Sequence, residues 1–241
     1  MLVDVIDYYR DLLKISNEAL DAVAGEKEAN KALILSHNYL DDYGSLKSVI
    51  ENRPEGVVFN LAIKEYQFSL YALVCGQYRY AFAGLRLFFE LALAAIHFSA
   101  HEISYRNWEK GCHDINWGAL KDEQSGVLSL NFIRAFNPSF SSFSKQYLAI
   151  ATAVYRECSE FVHGNVRTHT IIPSELVFKK DVFLSWFEKS SVIRLVVVFA
   201  FSARYLNYIS NEHMNEIESI ILDLLGDLQP VRDIFSSKFE E

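Results

Sequence analysis

The chain has 241 residues, of which 51% are hydrophobic and 14% aromatic, and this composition excludes an intrinsically disordered protein. Its 10 glycines and 4 prolines are few for a protein with many strands and turns, so the composition favours long helices. The net charge of −8 argues against a general nucleic-acid-binding surface.

The acidic charge is concentrated at the two ends of the chain. Residues 1–56 carry 6 Lys/Arg and 11 Asp/Glu, whereas residues 210–241 carry 2 Lys/Arg and 8 Asp/Glu. Residues 57–209 are mildly basic, with 15 Lys/Arg and 12 Asp/Glu. Such a centre is compatible with local contacts to phosphate.

Three widely spaced cysteines, Cys75, Cys112 and Cys158, imply no disulfide framework. The N-terminus shows no secretory signal, and we therefore expect a reducing, cytoplasmic location. Charged residues interrupt the longest apolar stretches, 85–98 and 192–206, so neither supplies the roughly 18 uncharged residues of a membrane span. Both stretches are predicted to be buried helices, and no contact with a membrane is expected.

Helical spacing of apolar residues begins at the N-terminus and predicts seven or so helices with almost no sheet. The first helix ends at Gly25, the second covers about residues 28–51, and "ENRPEG" is typical of a loop. Two helices then meet near Gly76, and the second continues to about Trp108. The acidic segment 1–53 is predicted to be an N-terminal helical extension that packs as one unit with a bundle formed by residues 54–241.

The second half of the bundle begins with "GCHDINWGALKDEQSGVLS", which predicts a long connection with a short helix inside it. Asn137-Pro138 predicts a break before the next long helix. The segment "NVRTHTIIPSEL" is typical of a loop, with a brief extended piece around residues 176–178. Asp181 is a candidate N-cap for a helix over residues 182–209, and a last helix is predicted from about residue 212 to Gly226.

The helix "KQYLAIATAVYRECSEFVHG" has one apolar face and one polar face when it is drawn at 100° per residue. Arg156 and His163 lie on the polar face, two turns apart and about 10.5 Å along the axis, with Thr152 and Glu160 beside them. The predicted buried stripe consists of Tyr147, Ala151, Val154, Cys158, Phe161 and Val162. His163 is therefore predicted to be accessible to a partner or a substrate.

A purely structural interpretation also explains this helix end. His163 would interact with the helix dipole before a Gly164 cap, and Arg156 would pair with Glu160 one turn away.

The segments "YRECSEFVHGN" and "GQYRYAFAGLRLFFE" together resemble the signature of HEPN domains, over roughly residues 58–210. The resemblance implies an all-α, HEPN-like helical bundle that commonly dimerises by apposing its motif helices, and active members are metal-independent ribonucleases. By this resemblance His163 would act as general acid or base at the ribose 2′-hydroxyl or the leaving 5′-oxygen. Arg156 would stabilise the charge on the phosphate.

Five further residues are candidates for substrate binding or support. The motif helix and its end contribute Glu157, Glu160 and Asn165, and the preceding long helix contributes Arg86 and Glu90 one turn apart. The last two are predicted to form a buried or half-buried ion pair. The alternative is that Arg86 borders the cleft of the motif pair and contacts phosphate.

No cofactor is predicted, because we find no Gly-rich phosphate loop, no Ser-His-Asp arrangement and no paired-carboxylate motif. A zinc site can be drawn from His97, His101 and the run Cys112-His113-Asp114. No closely spaced pair of cysteines supports it, so no metal is predicted.

Two functional hypotheses remain from the sequence. The first is a homodimeric HEPN-like endoribonuclease that acts on RNA as an effector of a prokaryotic toxin–antitoxin or phage-defence system. The second is a catalytically silent HEPN-like module that binds a partner protein or a nucleotide. Active relatives usually have Asn, Asp or His directly after the motif arginine, where this chain has Glu157. If Glu157 points into the cleft, the silent module is favoured, and if it caps the helix or braces Arg156, the ribonuclease is favoured.

Overall fold

A computed structural model describes residues 4–163 and 166–236, except for the side chain of residue 167, and every regular element in these ranges is helical. The all-α fold class predicted from the sequence is therefore confirmed. The described ranges contain the α-helices α1 (Val5–Gly25), α2 (Lys27–Val49), α3 (Glu55–Val74), α4 (Tyr78–Phe98), α5 (Glu102–Glu109), α6 (Trp117–Leu120), α7 (Leu130–Phe136), α8 (Ser144–Val162), α9 (Val166–Ile171), α10 (Lys180–Tyr205), α11 (Asn211–Leu225) and α12 (Gln229–Ser236), with a 3-10 helix, Pro138–Phe143, before α8.

Helices α4 and α10 form the centre of the bundle. Helix α4 packs against α3, α8 and α10, while α10 also packs against α2, α8 and α11. Both central helices carry long runs of buried residues, at 91–98 in α4 and at 196–205 in α10. The two longest apolar stretches of the sequence are thus buried in one core, as their composition predicts.

Small residues allow α3 and α4 to approach closely, and a tryptophan of α10 closes the contact. A Cβ on Gly84 would lie 3.0 Å from the Cβ of Ser69, so the two helices almost touch at this point. The Ser69 hydroxyl donates to the carbonyl oxygen of Ala81 at 2.6 Å, and Trp186 Nε1 donates to both of these oxygens at 3.2 Å. Because Trp186 is fully buried, these bonds fix the positions of three helices relative to one another.

Helix α2 is part of the packed bundle. The Tyr66 hydroxyl of α3 donates to the carbonyl oxygen of Ser36 at 2.9 Å, and Arg194 Nε of α10 donates to Asp42 Oδ2 at 2.6 Å. Residues 4–15, in contrast, are exposed apart from the half-buried Leu12. The boundary at residue 53 stays a prediction.

The prediction of one helix from Gly76 to Trp108 is wrong, because the chain turns between α4 and α5. Arg204 donates from Nε to the hydroxyl of Ser99 at 2.7 Å and from Nη2 to its carbonyl oxygen at 3.4 Å. His101 then leaves helical geometry, at φ −129° and ψ 69°. Arg204 therefore occupies the carbonyl oxygen of Ser99, which in a continuous helix would accept a hydrogen bond from a backbone N–H of the same helix.

The loop predicted from Asn165 onwards is wrong over Val166–Ile171, which form α9. The Thr168 hydroxyl donates to the carbonyl oxygen of Glu160 at 3.2 Å and attaches α9 to the end of α8. Such a short helix depends on tertiary contacts, which its sequence does not show. Residues 177–179, near the predicted extended piece, are not helical and form no strand.

Three further details differ from the predictions. Asp181 is not the N-cap of α10, because Lys179 takes that position and its backbone N–H donates to the Tyr78 hydroxyl at 2.6 Å. Asp181 instead lies in the first turn, where the helix dipole favours a carboxylate. Helix α12 was not predicted. Val162, which was predicted to be buried, is exposed because it lies in the last turn of α8, at the edge of the packed surface.

Helix α4 is long and apolar enough to cross a membrane by length and composition alone. Of its most apolar window, 72% is buried inside the bundle, and core helices pass the same test.

Gly76 connects α3 to α4 with a backbone that only glycine adopts without strain. Its φ is +71°, and a Cβ there would lie 2.9 Å from the backbone nitrogen of Val177. We expect Gly76→Ala to lower the free energy of unfolding by about 1–3 kcal/mol. Gly44→Ala, at an exposed position inside α2 with nothing within 4 Å of the new Cβ, should raise it by about 0.5–1 kcal/mol. Urea unfolding of both variants checks the prediction, and equal effects would contradict it.

His97 makes the stability of the fold depend on pH. Its side chain is 8% exposed, and burial, followed by the nearby His101, lowers the pKa of His97 to about 4. Between about pH 6.5 and pH 4 the unfolded chain binds a proton that the folded chain does not, so acidification destabilises the fold. No stability is lost through His97 above about pH 6.5, and about 3 kcal/mol of the free energy of unfolding has been lost at about pH 4.

We therefore expect the free energy of unfolding to fall less in His97→Gln than in the wild-type protein when the pH is lowered from about 7 to about 4, with a difference of about 3 kcal/mol. Urea unfolding at both pH values measures this difference. His37→Gln, at an exposed position of α2, is the matched control and should follow the wild type. Parallel pH profiles of wild type and His97→Gln would contradict the assignment.

Candidate functional site

Side chains from α4 and α8 meet beside the C-terminal end of α8. Arg86 and Glu90, one turn apart on α4, face Tyr155 of α8 and His163, which follows the last turn of that helix. We call these four residues the α4–α8 cluster. Because α4 is central to the bundle, its polar side chains reach this end of α8 from a rigid element.

Three members of the α4–α8 cluster form a closed set of hydrogen bonds. The Tyr155 hydroxyl donates to Glu90 Oε1 at 2.5 Å and accepts from Arg86 Nη2, also at 2.5 Å. Arg86 Nη2 lies 3.2 Å from Glu90 Oε1, and the two side chains are 21% and 16% exposed. The half-buried ion pair predicted from the sequence is therefore confirmed.

Tyr155 also connects this cluster to α6. Its ring stacks on Trp117, with the ring centres 3.8 Å apart and the planes at 6°. Burial, followed by the hydrogen bond to Glu90, raises the pKa of Tyr155 to about 12. The hydroxyl therefore stays protonated at neutral pH and can donate to the carboxylate.

His163 contributes an accessible imidazole at the edge of the cluster. It is exposed, its backbone N–H donates to the carbonyl oxygen of Ser159 at 3.0 Å, and its Nε2 lies 3.4 Å from Arg86 Nη1. A guanidinium has donors and no acceptor, so in this contact Nε2 must supply its lone pair. The contact therefore orients the accessible imidazole toward a guanidinium of α4.

A second arginine of α4 contacts the next turn of the chain. Arg79 Nη1 donates to the carbonyl oxygen of Phe161 at 2.7 Å, and Arg79 Nη2 lies 3.4 Å from His169 Nδ1 of α9. Arg79 precedes Arg86 by one heptad and therefore projects from the same side of α4. Two guanidinium groups and two imidazoles thus surround the junction of α8 and α9.

Arg156 lies apart from this junction. Its side chain is 83% exposed, and its Nε lies 3.9 Å from Glu160 Oε1. Both residues line an open groove of about 1310 Å³ between α8 and residues 118–131, whereas His163 does not line it. Within the described ranges no hydrogen bond joins Arg156 to His163.

The local backbone explains this separation. The helical wheel places Arg156 and His163 on one face, but His163 is the C-cap of α8, with φ −93° and ψ 68°. Helical geometry has ended at this residue, so the wheel no longer gives the direction of its side chain. The ring contacts Arg86 of α4 instead.

The remaining predicted site residues are placed as follows. Glu157 Oε2 lies 3.1 Å from Lys189 Nζ of α10. Glu157 therefore forms an ion pair with α10 and does not brace Arg156, although it also lines the groove. Glu160 makes the pair with Arg156 that helical spacing predicts. Asn165 lies outside the described residues.

Sequence reasoning missed three residues of this region: Arg79, Tyr155 and His169. The heptad spacing of Arg79 and Arg86 along α4 was a usable signal. Tyr155 looks like one of many aromatic residues, and its partners lie 65 and 69 positions away. His169 was hidden because its segment was predicted to be a loop.

Two further observations on the described residues concern metal ligands and the Cys158 thiol. No group of three or more His, Cys, Asp or Glu side chains in them is placed to hold a metal ion. Cys158 is buried, and burial raises the pKa of its thiol to about 12. The thiol therefore stays protonated, and Cys158 belongs to the core as predicted.

No protein-family model, no curated protein and no solved structure matches the chain. The interpretation of the site therefore depends on its own geometry.

The Tyr155 hydroxyl is predicted to hold the α4–α8 cluster together. Tyr155→Phe removes one donor and one acceptor and leaves Arg86 and Glu90 with fewer partners in a half-buried site. We expect the free energy of unfolding to fall by about 1–3 kcal/mol. Tyr80→Phe, at an exposed position of α4, should change it by less than about 0.5 kcal/mol. Urea unfolding measures both effects, and a neutral Tyr155→Phe would show that the hydroxyl contributes nothing.

Proposed function

We propose that this chain is a HEPN-like, metal-independent endoribonuclease that acts in the cytoplasm as an effector of a prokaryotic toxin or phage-defence system. The observation that supports the proposal is the contact between Arg86 Nη1 and His163 Nε2 at 3.4 Å. It places a proton acceptor beside a fixed positive charge at an accessible edge of the bundle. Cleavage of a phosphodiester without a metal needs both of these groups.

The chemistry uses the 2′-hydroxyl of the RNA as its nucleophile. An imidazole removes the 2′-hydroxyl proton while the O2′–P bond forms and the P–O5′ bond breaks, and an imidazolium gives a proton to the leaving 5′-oxygen. The products are a 2′,3′-cyclic phosphate and a 5′-hydroxyl. Arg86 would stabilise the charge of the pentacovalent phosphate, because its guanidinium is held by Glu90 and Tyr155.

A homodimer supplies the second imidazole and a place for Arg156. Apposition of two α8 helices would bring together two copies of His163, one as base and one as acid. Arg156 is 83% exposed and its ion pair with Glu160 is long, so the guanidinium is available to a phosphate in such an assembly. In this proposal Glu157 remains paired with Lys189 and does not compete for Arg156.

A second candidate is a silent HEPN-like module that binds a partner protein. The exposed first half of α1 supports it, because a wide apolar surface on one helix is typical of a docking element. The exposed apolar residues of this segment are Val5, Ile6, Tyr8, Tyr9, Leu13 and Ile15.

An RNA-cleavage assay in excess chelator tests the ribonuclease. We expect cleavage by the wild-type protein, and a loss of about 10²–10⁴-fold in His163→Ala, since this change removes the acid–base group. Arg156→Ala should also lose cleavage, because its charge would act on the phosphate. A substrate with 2′-deoxyribose at the cleaved position should not react.

Matched surface variants provide the controls. His37→Ala and Arg106→Ala remove an exposed histidine and an exposed arginine far along the chain from the motif, and both should cleave like the wild type. Cleavage that requires a metal, or that persists in His163→Ala, would reject the mechanism. A strict monomer at the assay concentration would reject the composite site, and absence of cleavage with intact folding would leave the silent module as the better proposal.

A further inference from the structure

A separate cavity of about 330 Å³ lies among the C-terminal end of α4, α5 and α6. This volume is at the lower end of the range of small-molecule pockets, about 300–1,000 Å³. Two aromatic rings, Phe98 and Trp108, form part of its wall together with aliphatic side chains. The polar lining residues are His97, Ser104, Asn107, His113, Asp114 and Asn116.

His97 is the most informative of the polar residues. The residue is 8% exposed and lines the cavity. The nearby backbone of Ser125 has the smaller, opposite effect and favours the protonated ring. A neutral imidazole has one nitrogen that accepts a hydrogen bond, so His97 can accept from an N–H of a ligand in the cavity.

The charges of the lining determine what the cavity accepts. It contains the carboxyl group of Asp114 and neither lysine nor arginine, so a phosphate or carboxylate would be buried beside an acidic residue without either of these permanent cations. His97 does not supply that cation, because its low pKa keeps the ring neutral at physiological pH. The Asn107 amide adds one acceptor and two donors.

We propose that this cavity binds a planar, uncharged nitrogen heterocycle of about the size of a nucleobase, with an N–H that donates to His97. The aromatic rings contact the faces of such a ligand, while the imidazole and the amide recognise its polar edge. The proposal is independent of the ribonuclease activity, because none of the proposed catalytic residues lines the cavity.

The position of α6 gives the bound heterocycle a structural consequence. This four-residue helix lines the cavity through Ala119 and Leu120, and its first residue, Trp117, stacks on Tyr155. A ligand that fills the cavity therefore orders α6 and stabilises the Trp117–Tyr155 contact at the α4–α8 cluster.

Binding of adenine, cytosine and nicotinamide to the full-length protein tests the proposal, measured by calorimetry and by quenching of tryptophan fluorescence. We expect saturable binding of at least one of them, with a dissociation constant below about 1 mM. AMP should bind at least tenfold more weakly than adenine, since its phosphate has no cation in the cavity. Amide hydrogen exchange in Trp117–Leu120 should slow in the complex.

Two variants locate the ligand. His97→Phe keeps an aromatic ring and removes its nitrogens, and Ala119→Phe adds bulk to the cavity lining at an exposed position. Each should weaken binding at least tenfold. The matched controls His37→Phe and Ala149→Phe, both at exposed positions, should bind like the wild type. The proposal would be overturned by absence of saturable binding, by equal binding of AMP and adenine, or by unchanged binding in Ala119→Phe. Unchanged hydrogen exchange in α6 would overturn the effect of the ligand on this helix.

Discussion

The Tyr155 side chain, whose hydroxyl is held between Arg86 and Glu90, connects three helices of the bundle. It joins α8 to the central helix α4 through hydrogen bonds of 2.5 Å, and its ring joins α8 to α6 through a stack on Trp117. A half-buried ion pair loses much of its Coulomb energy to desolvation, so a third polar partner has a large influence on its geometry. The orientation of Arg86 toward His163 follows from this set of bonds.

The C-terminal end of α8 and its polar face have different neighbours. The C-terminal end of α8 approaches α4, where Arg79 and Arg86 provide two positive charges beside two imidazoles. On the polar face of α8, Arg156 and Glu160 line an open groove. The proposed catalysis uses a second imidazole from a second copy of the chain, whereas the residues that line the cavity beside α6 all belong to one chain.

Sequence periodicity predicted the elements better than their ends. The buried stripe of α8 is correct at Tyr147, Val154 and Cys158, and it fails at Val162, where the helix reaches the edge of its packed surface. The wheel likewise placed Arg156 correctly on the exposed face and lost the direction of His163 at the C-cap. Both errors have one cause, since a helical wheel describes neither the end of a helix nor the extent of the surface that covers it.

The sequence by itself determined that the chain forms an all-α protein with two central apolar helices, and that Arg86 and Glu90 pair one turn apart. These properties are local, because they depend on composition, on 3.6-residue periodicity and on i,i+4 spacing. Only the tertiary structure decided that Arg86 is the neighbour of His163, that Tyr155 joins the ion pair and that His97 lines a cavity. Each of these features brings together residues that are far apart in the chain. No local sequence pattern specifies which helix faces meet.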